Sequence, residues 1–142
     1  MIRHLDPMDG LKVAEFLTYI FDEDWELSDV MTEIKCHKAL GCFQENELVA
    51  ILLNRDLVEN LEITWLCTRP TYRRQGIMKR LLKKLSEECK KGQNLWLELR
   101  EGNTAAMSLY ESHGFSKVGQ RKAYYSDGEN ATLMEFKPLQ SL

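Results

Sequence analysis

Apolar residues recur along this chain with two different periods. A helical spacing runs through Leu11, Ala14, Phe16, Leu17 and Ile20, with Asp9 where a helix cap belongs. Val30, Met31 and Ile34 continue that period after a second capping residue, Ser28. The chain then turns β-prone. Leu40–Gln44 and Leu48–Leu53 flank Glu45-Asn46 as the arms of a hairpin would, and Leu61–Thr68 predicts a further strand that Pro70 ends. Ile77, Leu81, Leu82, Leu85 and Cys89 restore the helical period, predicting a helix through Lys91 with Gly92 at its C-terminus. Asn94–Arg100 alternates as a strand does, and Asn103 caps a helix predicted over Thr104–His113 that Gly114 ends. Phe115–Tyr125 and Thr132–Phe136 read as a closing hairpin around Asp127-Gly128. With Ile2–Leu5 as a first short strand, the order is β-α-α-β-β-β-α-β-α-β-β. This is an α/β fold whose mixed, mostly antiparallel sheet is flanked by helices.

Length and composition narrow the class. The 142 residues predict one domain spanning 1–142, with no repeat or linker. A net charge of −3 argues against a strongly basic nucleic-acid binder. The charge is uneven: residues 1–62 carry 14 acids and 5 bases, residues 63–142 carry 8 acids and 14 bases. Such a split fits two ligand poles, one for a cation and one for an anion, although charge alone favours an ordinary solvated surface. Cys36, Cys42, Cys67 and Cys89 contain no Cys-x-x-Cys pair, and the N-terminus lacks the apolar core of an export signal. Reduced thiols and a cytoplasmic location are expected. The longest apolar run, Leu48–Leu53, is far short of the roughly 20 residues of a membrane span. His4, His37 and His113 lack a metal-ligand spacing, so no metal is expected. All three read as surface residues, with His113 favouring the end of its helix.

Three features carry candidate chemistry. Arg73-Arg74-Gln75-Gly76-Ile77-Met78 links a strand to a helix through glycine, next to the cations Lys79, Arg80, Lys83 and Lys84. Free backbone N–H groups and the positive end of the helix dipole make such a junction an anion site, read here as one for a cofactor phosphate. A plain strand–helix connection is the alternative. No Walker or dinucleotide glycine pattern is present. In Leu95-Trp96-Leu97-Glu98-Leu99 the leucines share one face, and Trp96 and Glu98 the other. A carboxylate in so apolar a strand points to a wet cleft, where it can act as a general base, or to an exposed edge. Tyr110 shares a helix face with Ala106, one turn beyond Asn103, which leaves room for a ligand or makes it a boundary tyrosine. Cys67 reads as a small core residue rather than a nucleophile.

These pieces, in this order, resemble the GNAT superfamily of acetyl-CoA-dependent N-acetyltransferases, most densely from Leu61 to Pro138. The Arg73–Met78 segment resembles that family's pyrophosphate loop, with Met78 where the family has a small residue. Leu97-Glu98-Leu99-Arg100, Asn103-Thr104-Ala105-Ala106, Leu109-Tyr110-Glu111-Ser112-His113-Gly114-Phe115 and Tyr124-Tyr125 resemble the RimI-type branch. That branch acetylates protein N-terminal α-amines, notably of a small-subunit ribosomal protein. The resemblance implies direct transfer, with Glu98 as proton acceptor and Tyr110 as proton donor. It implies pantetheine pairing along Leu66, Cys67 and Thr68, and a pyrophosphate cradle from Arg73, Arg74, Gln75, Gly76, Ile77 and Met78 into Lys79. It further implies a coenzyme-A contact at Asn103 and an acceptor site bordered by the first two helices, Trp25, Tyr124 and Tyr125. The acidic residues Asp22, Glu23, Asp24, Glu26 and Asp29 could attract a cationic peptide end. A small-amine or lysine acetyltransferase, or a non-catalytic acyl-CoA-binding module, are the alternatives. No direct nucleic-acid or membrane partner is expected.

Overall fold

The computed structural model describes residues 1–21, 32, 34 and 38–138. The second predicted helix therefore lies largely outside the described residues, as do Trp25, the acidic stretch Asp22–Asp29, Cys36 and His37. The chain forms two compact units. One comprises Met1–Arg55 and Trp65–Leu85; the other comprises Asp56–Thr64 and the chain from Ser86 onward.

The first unit opens with β1 (Ile2–His4), a tight turn of helix at Pro7–Asp9, and α1 (Gly10–Phe21). It continues into the hairpin β2 (Lys38–Gln44) and β3 (Glu47–Asp56). β1 and β3 both run antiparallel to β2, pairing Ile2 with Cys42 and Gly41 with Ile51. Glu45 and Asn46 both take positive φ, 50° and 68°, as a two-residue turn matched to the strand twist requires. Leu40, Cys42, Val49, Ala50 and Leu52 are fully buried, so these strands read as continuous apolar runs rather than alternating ones.

The helix differs from the sequence expectation at its start. Asp6, not Asp9, is the cap: its carboxylate accepts from the Met8 N–H at 2.8 Å, and Pro7 takes the first helical position. The apolar side rotates accordingly. Val13 and Phe16 are buried, Ala14, Leu17 and Ile20 pack on the same core, and Leu11 is 67% exposed. Asp9 is itself buried. Its carboxylate accepts from the Asp6 N–H at 3.0 Å and from both terminal nitrogens of Arg3 at 2.8 Å.

β4 (Asn60–Thr68) belongs to the second unit at its start and to the first from Trp65. Where it stops, Arg69 is fixed from several sides. Its N–H reaches the Val49 carbonyl at 2.8 Å, and its Nε reaches the Leu48 carbonyl at 2.9 Å. The guanidinium lies over the rings of Phe16 and Tyr19 and pairs with Glu47. α2 (Ile77–Glu88) then buries Ile77, Leu81, Leu82 and Leu85, and Cys89 just beyond it is also buried, as its period predicts. It ends three residues before Lys91, so Gly92 is not its cap. Instead Lys90–Gln93 forms a separate turn, closed by Gln93 N–H to the Lys90 carbonyl, with Gly92 at φ 88°. Gln93 is buried and its amide donates to Asp56 Oδ1 and the Val58 carbonyl, each at 2.9 Å, which draws the chain out of the helix.

In the second unit β5 (Asn94–Arg100) runs parallel to β4, pairing Leu61 with Leu95, and antiparallel to β7 (Ala131–Phe136). β6 (Ser116–Arg121) pairs antiparallel with β7. The local order is thus β4-β5-β7-β6, with α3 (Thr104–Ser112) connecting β5 to β6. Leu95, Leu97 and Leu99 are buried, and Met134 and Thr132, their partners on the same face, are buried as well. The expected strand through Tyr125 stops at Arg121. Ala123 takes φ 49° and donates its N–H to Asn130 Oδ1 at 2.8 Å, leaving Tyr124 and Tyr125 in the loop. With β4 and β5 parallel and β1-β2, β2-β3, β5-β7 and β6-β7 antiparallel, this is the mixed, mostly antiparallel α/β fold read from the sequence. Among the described residues no helix is long and apolar enough to cross a membrane.

The Arg3 hydrogen bonds are the main cause that holds the Asp9 carboxyl below its ordinary value. A depressed native value stabilises the fold above the unfolded carboxyl's value of about 3.9, and that stabilisation is lost as pH falls through the native value. Asp9→Asn is expected to cost about 1.5–3 kcal/mol at neutral pH, as loss of a charge-assisted pair does. Urea unfolding of both proteins should show the difference shrinking as pH drops below about 4. Equal midpoints at neutral pH would remove Asp9 from the stabilising interactions.

Candidate active site

The first unit presents the glycine junction. After Arg69, Pro70–Tyr72 makes a single tight turn, and the Tyr72 hydroxyl donates to Glu47 Oε2 at 3.2 Å. Arg74 and Gly76 then take φ 65° and 74°, and α2 begins at Ile77. Two left-handed residues so close together are unusual, and one of them carries a side chain. A Cβ added at Gly76 would meet nothing within 4 Å, so glycine is not required there by internal packing. It supplies the backbone conformation and keeps the approach to the helix open. Among the described residues no acceptor meets the N–H groups of Gly76, Ile77, Met78 or Lys79. Arg73, Arg74, Gln75 and Lys79 are exposed around them, Met78 is half-buried and Ile77 anchors the turn in the core. Free donors, helix dipole and cations suit an anion of the diphosphate kind.

Leu66, Cys67 and Thr68 precede this turn on β4, all half-buried. Burial is the largest effect on the Cys67 thiol and pushes it up, against the smaller opposing pull of Arg73. A thiol held protonated in this way is a poor nucleophile, in keeping with the structural reading of Cys67.

The second unit holds the other candidates. On β5, Glu98 stands on the face opposite the buried leucines, and its side chain is 20% exposed. The sequence reading left it facing either a wet cleft or an exposed edge. In the structure it is a half-buried carboxylate, with Arg121 Nε donating to Oε1 at 3.0 Å. Asn103 caps α3, its side chain accepting from the Ala106 N–H at 3.2 Å. Further along α3, Tyr110 packs edge-on against Phe115 with ring centres 5.4 Å apart. Burial alone raises the Tyr110 hydroxyl above its ordinary value, so it remains protonated at neutral pH. His113 is not the surface residue expected. It is half-buried, with Nδ1 2.9 Å from the Leu109 carbonyl and 3.0 Å from Ser112 Oγ, and its Nε2 is buried without a partner.

Tyr124 and Tyr125 meet edge to face, ring centres 5.1 Å apart. Each is held by an arginine that sequence reading did not single out. The Arg100 guanidinium lies 4.1 Å from the Tyr125 ring and donates to Asp127 and Glu129 at 2.8 Å. Arg121 lies 5.7 Å from the Tyr124 ring while it pairs with Glu98. The sheet register explains this gathering: Arg100 and Arg121 both pair with Ala131, and Glu98 and Gly119 both pair with Leu133. Residues opposite one another in antiparallel strands share a face. One face of β5-β7-β6 therefore carries a carboxylate, two arginines, Ala131 and Leu133 beneath a tyrosine pair. The signal in the sequence was only the alternation Gly119-x-Arg121, which needs the register to become meaningful.

The region is comparable with known proteins. Residues 8–115 match the pattern of the acetyltransferase (GNAT) family. The [ribosomal protein bS18]-alanine N-acetyltransferase of Escherichia coli is 35% identical over 96 residues, covering 64% of this chain and 65% of that protein. The chain thus spans 65% of the length of that relative. The enzyme of the same name from Haemophilus influenzae is 39% identical over 101 residues, 67% of this chain and 68% of that protein. Among solved structures, the ribosomal-protein-S18-alanine N-acetyltransferase of Escherichia coli superposes with a TM-score of 0.79 at 26% identity, over 97% of this chain and 93% of that one. A ribosomal-protein-alanine N-acetyltransferase from Brucella melitensis shares the fold with a TM-score of 0.76 at 20% identity, over 98% of this chain and 99% of that one. The family match runs from the start of the first helix, across the glycine junction and the Glu98 strand, to the end of the Tyr110 helix, and on that extent the chain belongs to the acetyltransferase (GNAT) family.

Proposed function

We propose that this chain transfers the acetyl group of acetyl-CoA directly to a primary amine, and that the amine is the N-terminal α-amine of a protein or peptide. The observation that carries the reading is Glu98, a half-buried carboxylate on the polar face of β5, beside an ordered tyrosine pair. Family membership and the names of the bacterial relatives support it, including a ribosomal protein as acceptor. The residues fit the co-substrate. The junction from Arg73 to Lys79 supplies uncommitted N–H donors and cations for a diphosphate, and the half-buried Leu66–Thr68 backbone suits the pantetheine arm. Asn103 would be a further contact with coenzyme A.

Bound acetyl-CoA supplies an activated thioester. Glu98, through water, accepts the proton that the acceptor's ammonium must lose before it can attack. Tyr110, kept protonated by burial, donates a proton to the departing thiolate. Holding both reactants makes the step effectively unimolecular. The acceptor class follows from proton affinity. An α-amine near ~7.8 is partly neutral at neutral pH, whereas a lysine near ~10.4 needs roughly 3.5 kcal/mol more to lose its proton. One carboxylate suits the α-amine better. Tyr124 and Tyr125 would border that acceptor; Trp25, assigned there by the family resemblance, lies outside the described residues.

Glu98→Gln and Tyr110→Phe should each slow single-turnover acetylation by about 10²-fold or more, the usual contribution of one proton-transfer group, while acetyl-CoA affinity stays near wild type. Mass spectrometry of peptides offering both an N-terminus and a lysine reads the position modified. Modification of lysine alone sinks the α-amine assignment, and wild-type rates in both variants sink the two roles.

Gly76→Ala tests the cradle separately. Its cost to folding should be about 1–2 kcal/mol, from the left-handed backbone alone. Its cost to acetyl-CoA binding should be about tenfold or more, equivalent to one charge-assisted hydrogen bond of about 1.5–3 kcal/mol. Calorimetric titration with acetyl-CoA checks this, and unchanged affinity would place the diphosphate elsewhere.

A further inference from the structure

We propose that Arg121 compensates the charge of Glu98 until the acceptor's ammonium group, with the water that links it to Glu98, takes over that role, so that acceptor binding exchanges one cation for another beside the same carboxylate. The inference rests on the role of Glu98 given above and adds the residue that controls access to it. Arg121 reaches Glu98 from the far side of β7, two strands away, while Gly119, the residue opposite Leu133, leaves that leucine its space. A Cβ at Gly119 would press on the Leu133 side chain at 3.2 Å. The two ends of this pair are unequal. The Glu98 side chain is 20% exposed and fixed by its strand, while the Arg121 side chain is 49% exposed at a strand end. Of the two, Arg121 is the one free to leave.

The physical advantage lies in charge. A half-buried carboxylate without a cation carries a desolvation cost, and a guanidinium cannot surrender its proton to relieve it. Arg121 compensates Glu98 until the ammonium arrives, and the ammonium then compensates it in turn. A neutral molecule offers Glu98 no such replacement, so the exchange selects for cationic acceptors. With its arginine half exposed, the pair is held weakly enough for the exchange to occur. The surroundings tie the exchange to the acceptor loop. Arg121 also stacks on Tyr124, whereas Arg100 is anchored by Asp127 and Glu129 beneath Tyr125. One tyrosine is therefore fastened to a fixed arginine and its neighbour to a movable one.

The test reads displacement and turnover separately. In wild-type protein with coenzyme A present, an alanine-initiated hexapeptide should shift the Arg121 Nε–H resonance toward that of a solvated arginine. The same peptide with an acetylated N-terminus should leave it in place. In Arg121→Gln, KM for the free peptide should fall by about three- to fivefold, the equivalent of an exposed ion pair, with kcat within about twofold. Arg121→Lys should restore the wild-type KM. The proposal is overturned if the resonance ignores the free peptide, if KM in Arg121→Gln is unchanged, or if KM rises and kcat falls together. The last pattern would make Arg121 a residue that positions Glu98. Displacement without acetyl transfer would sink the acetyltransferase reading and leave the exchange standing; transfer without displacement would do the reverse.

Discussion

Arg69 ties the end of β4 to the hairpin and to α1 at once, and the glycine junction depends on that anchorage. Its backbone N–H and its Nε take consecutive carbonyls of β3, Val49 and Leu48, and its guanidinium is spread across Phe16 and Tyr19. A charged group brought this far out of water is tolerable only because each side of it is occupied by a carbonyl, a ring or a carboxylate. Satisfied in this way, it fixes the strand's last residue and the direction in which Pro70 departs. The two left-handed residues at 74 and 76 then need only complete the turn before Ile77 enters the core. The backbone N–H groups at the start of α2 are thus positioned by a contact on the strand rather than by anything in the helix.

The second unit organises its chemistry with a different device. A strand with three buried leucines on one face has a rigid opposite face, and β5 uses it to hold Trp96, Glu98 and Arg100 in a row. The antiparallel neighbours β7 and β6 add Ala131, Leu133, Gly119 and Arg121 in register. Gly119 makes room for Leu133, and Arg121 crosses β7 to reach Glu98. The loop after β6 is shaped by Asn130 and Glu129 and places its tyrosines over those arginines. Electrostatics and sheet geometry coincide here: a like-charged row would repel, whereas the alternating carboxylates and guanidiniums lock one another.

The two candidate proton carriers are treated unequally, which suits opposite tasks. Tyr110 sits against Phe115 on a helix where burial favours its neutral form, as a proton donor requires. Glu98 instead stands half-buried on the polar face of β5, with Arg121 as its cation.

The fold was legible in the sequence wherever a single period decided the outcome. The Asn94–Arg100 strand, the Glu45-Asn46 turn, the Asn103 cap and the buried stripe of α2 follow from local pattern and turn chemistry alone. The errors fall where a distant group competes with the local signal. Gln93 ends α2 early by bonding to Asp56 and Val58, roughly 35 residues away in the chain. Asn130 stops β6 by capturing the Ala123 N–H. The start of α1 was a local misjudgement, because Asp6 with Pro7 outcompetes Asp9 as a cap. For the site, the sequence by itself determined which residue types are present: the glycine junction, Glu98, Asn103, Tyr110 and the tyrosine pair. Only the tertiary structure decided what surrounds them. Arg121 is 23 residues from Glu98 in the chain and becomes its partner only through the register of three strands. Periodicity shows which face a side chain takes, but only the pairing of strands shows whose charge it meets there.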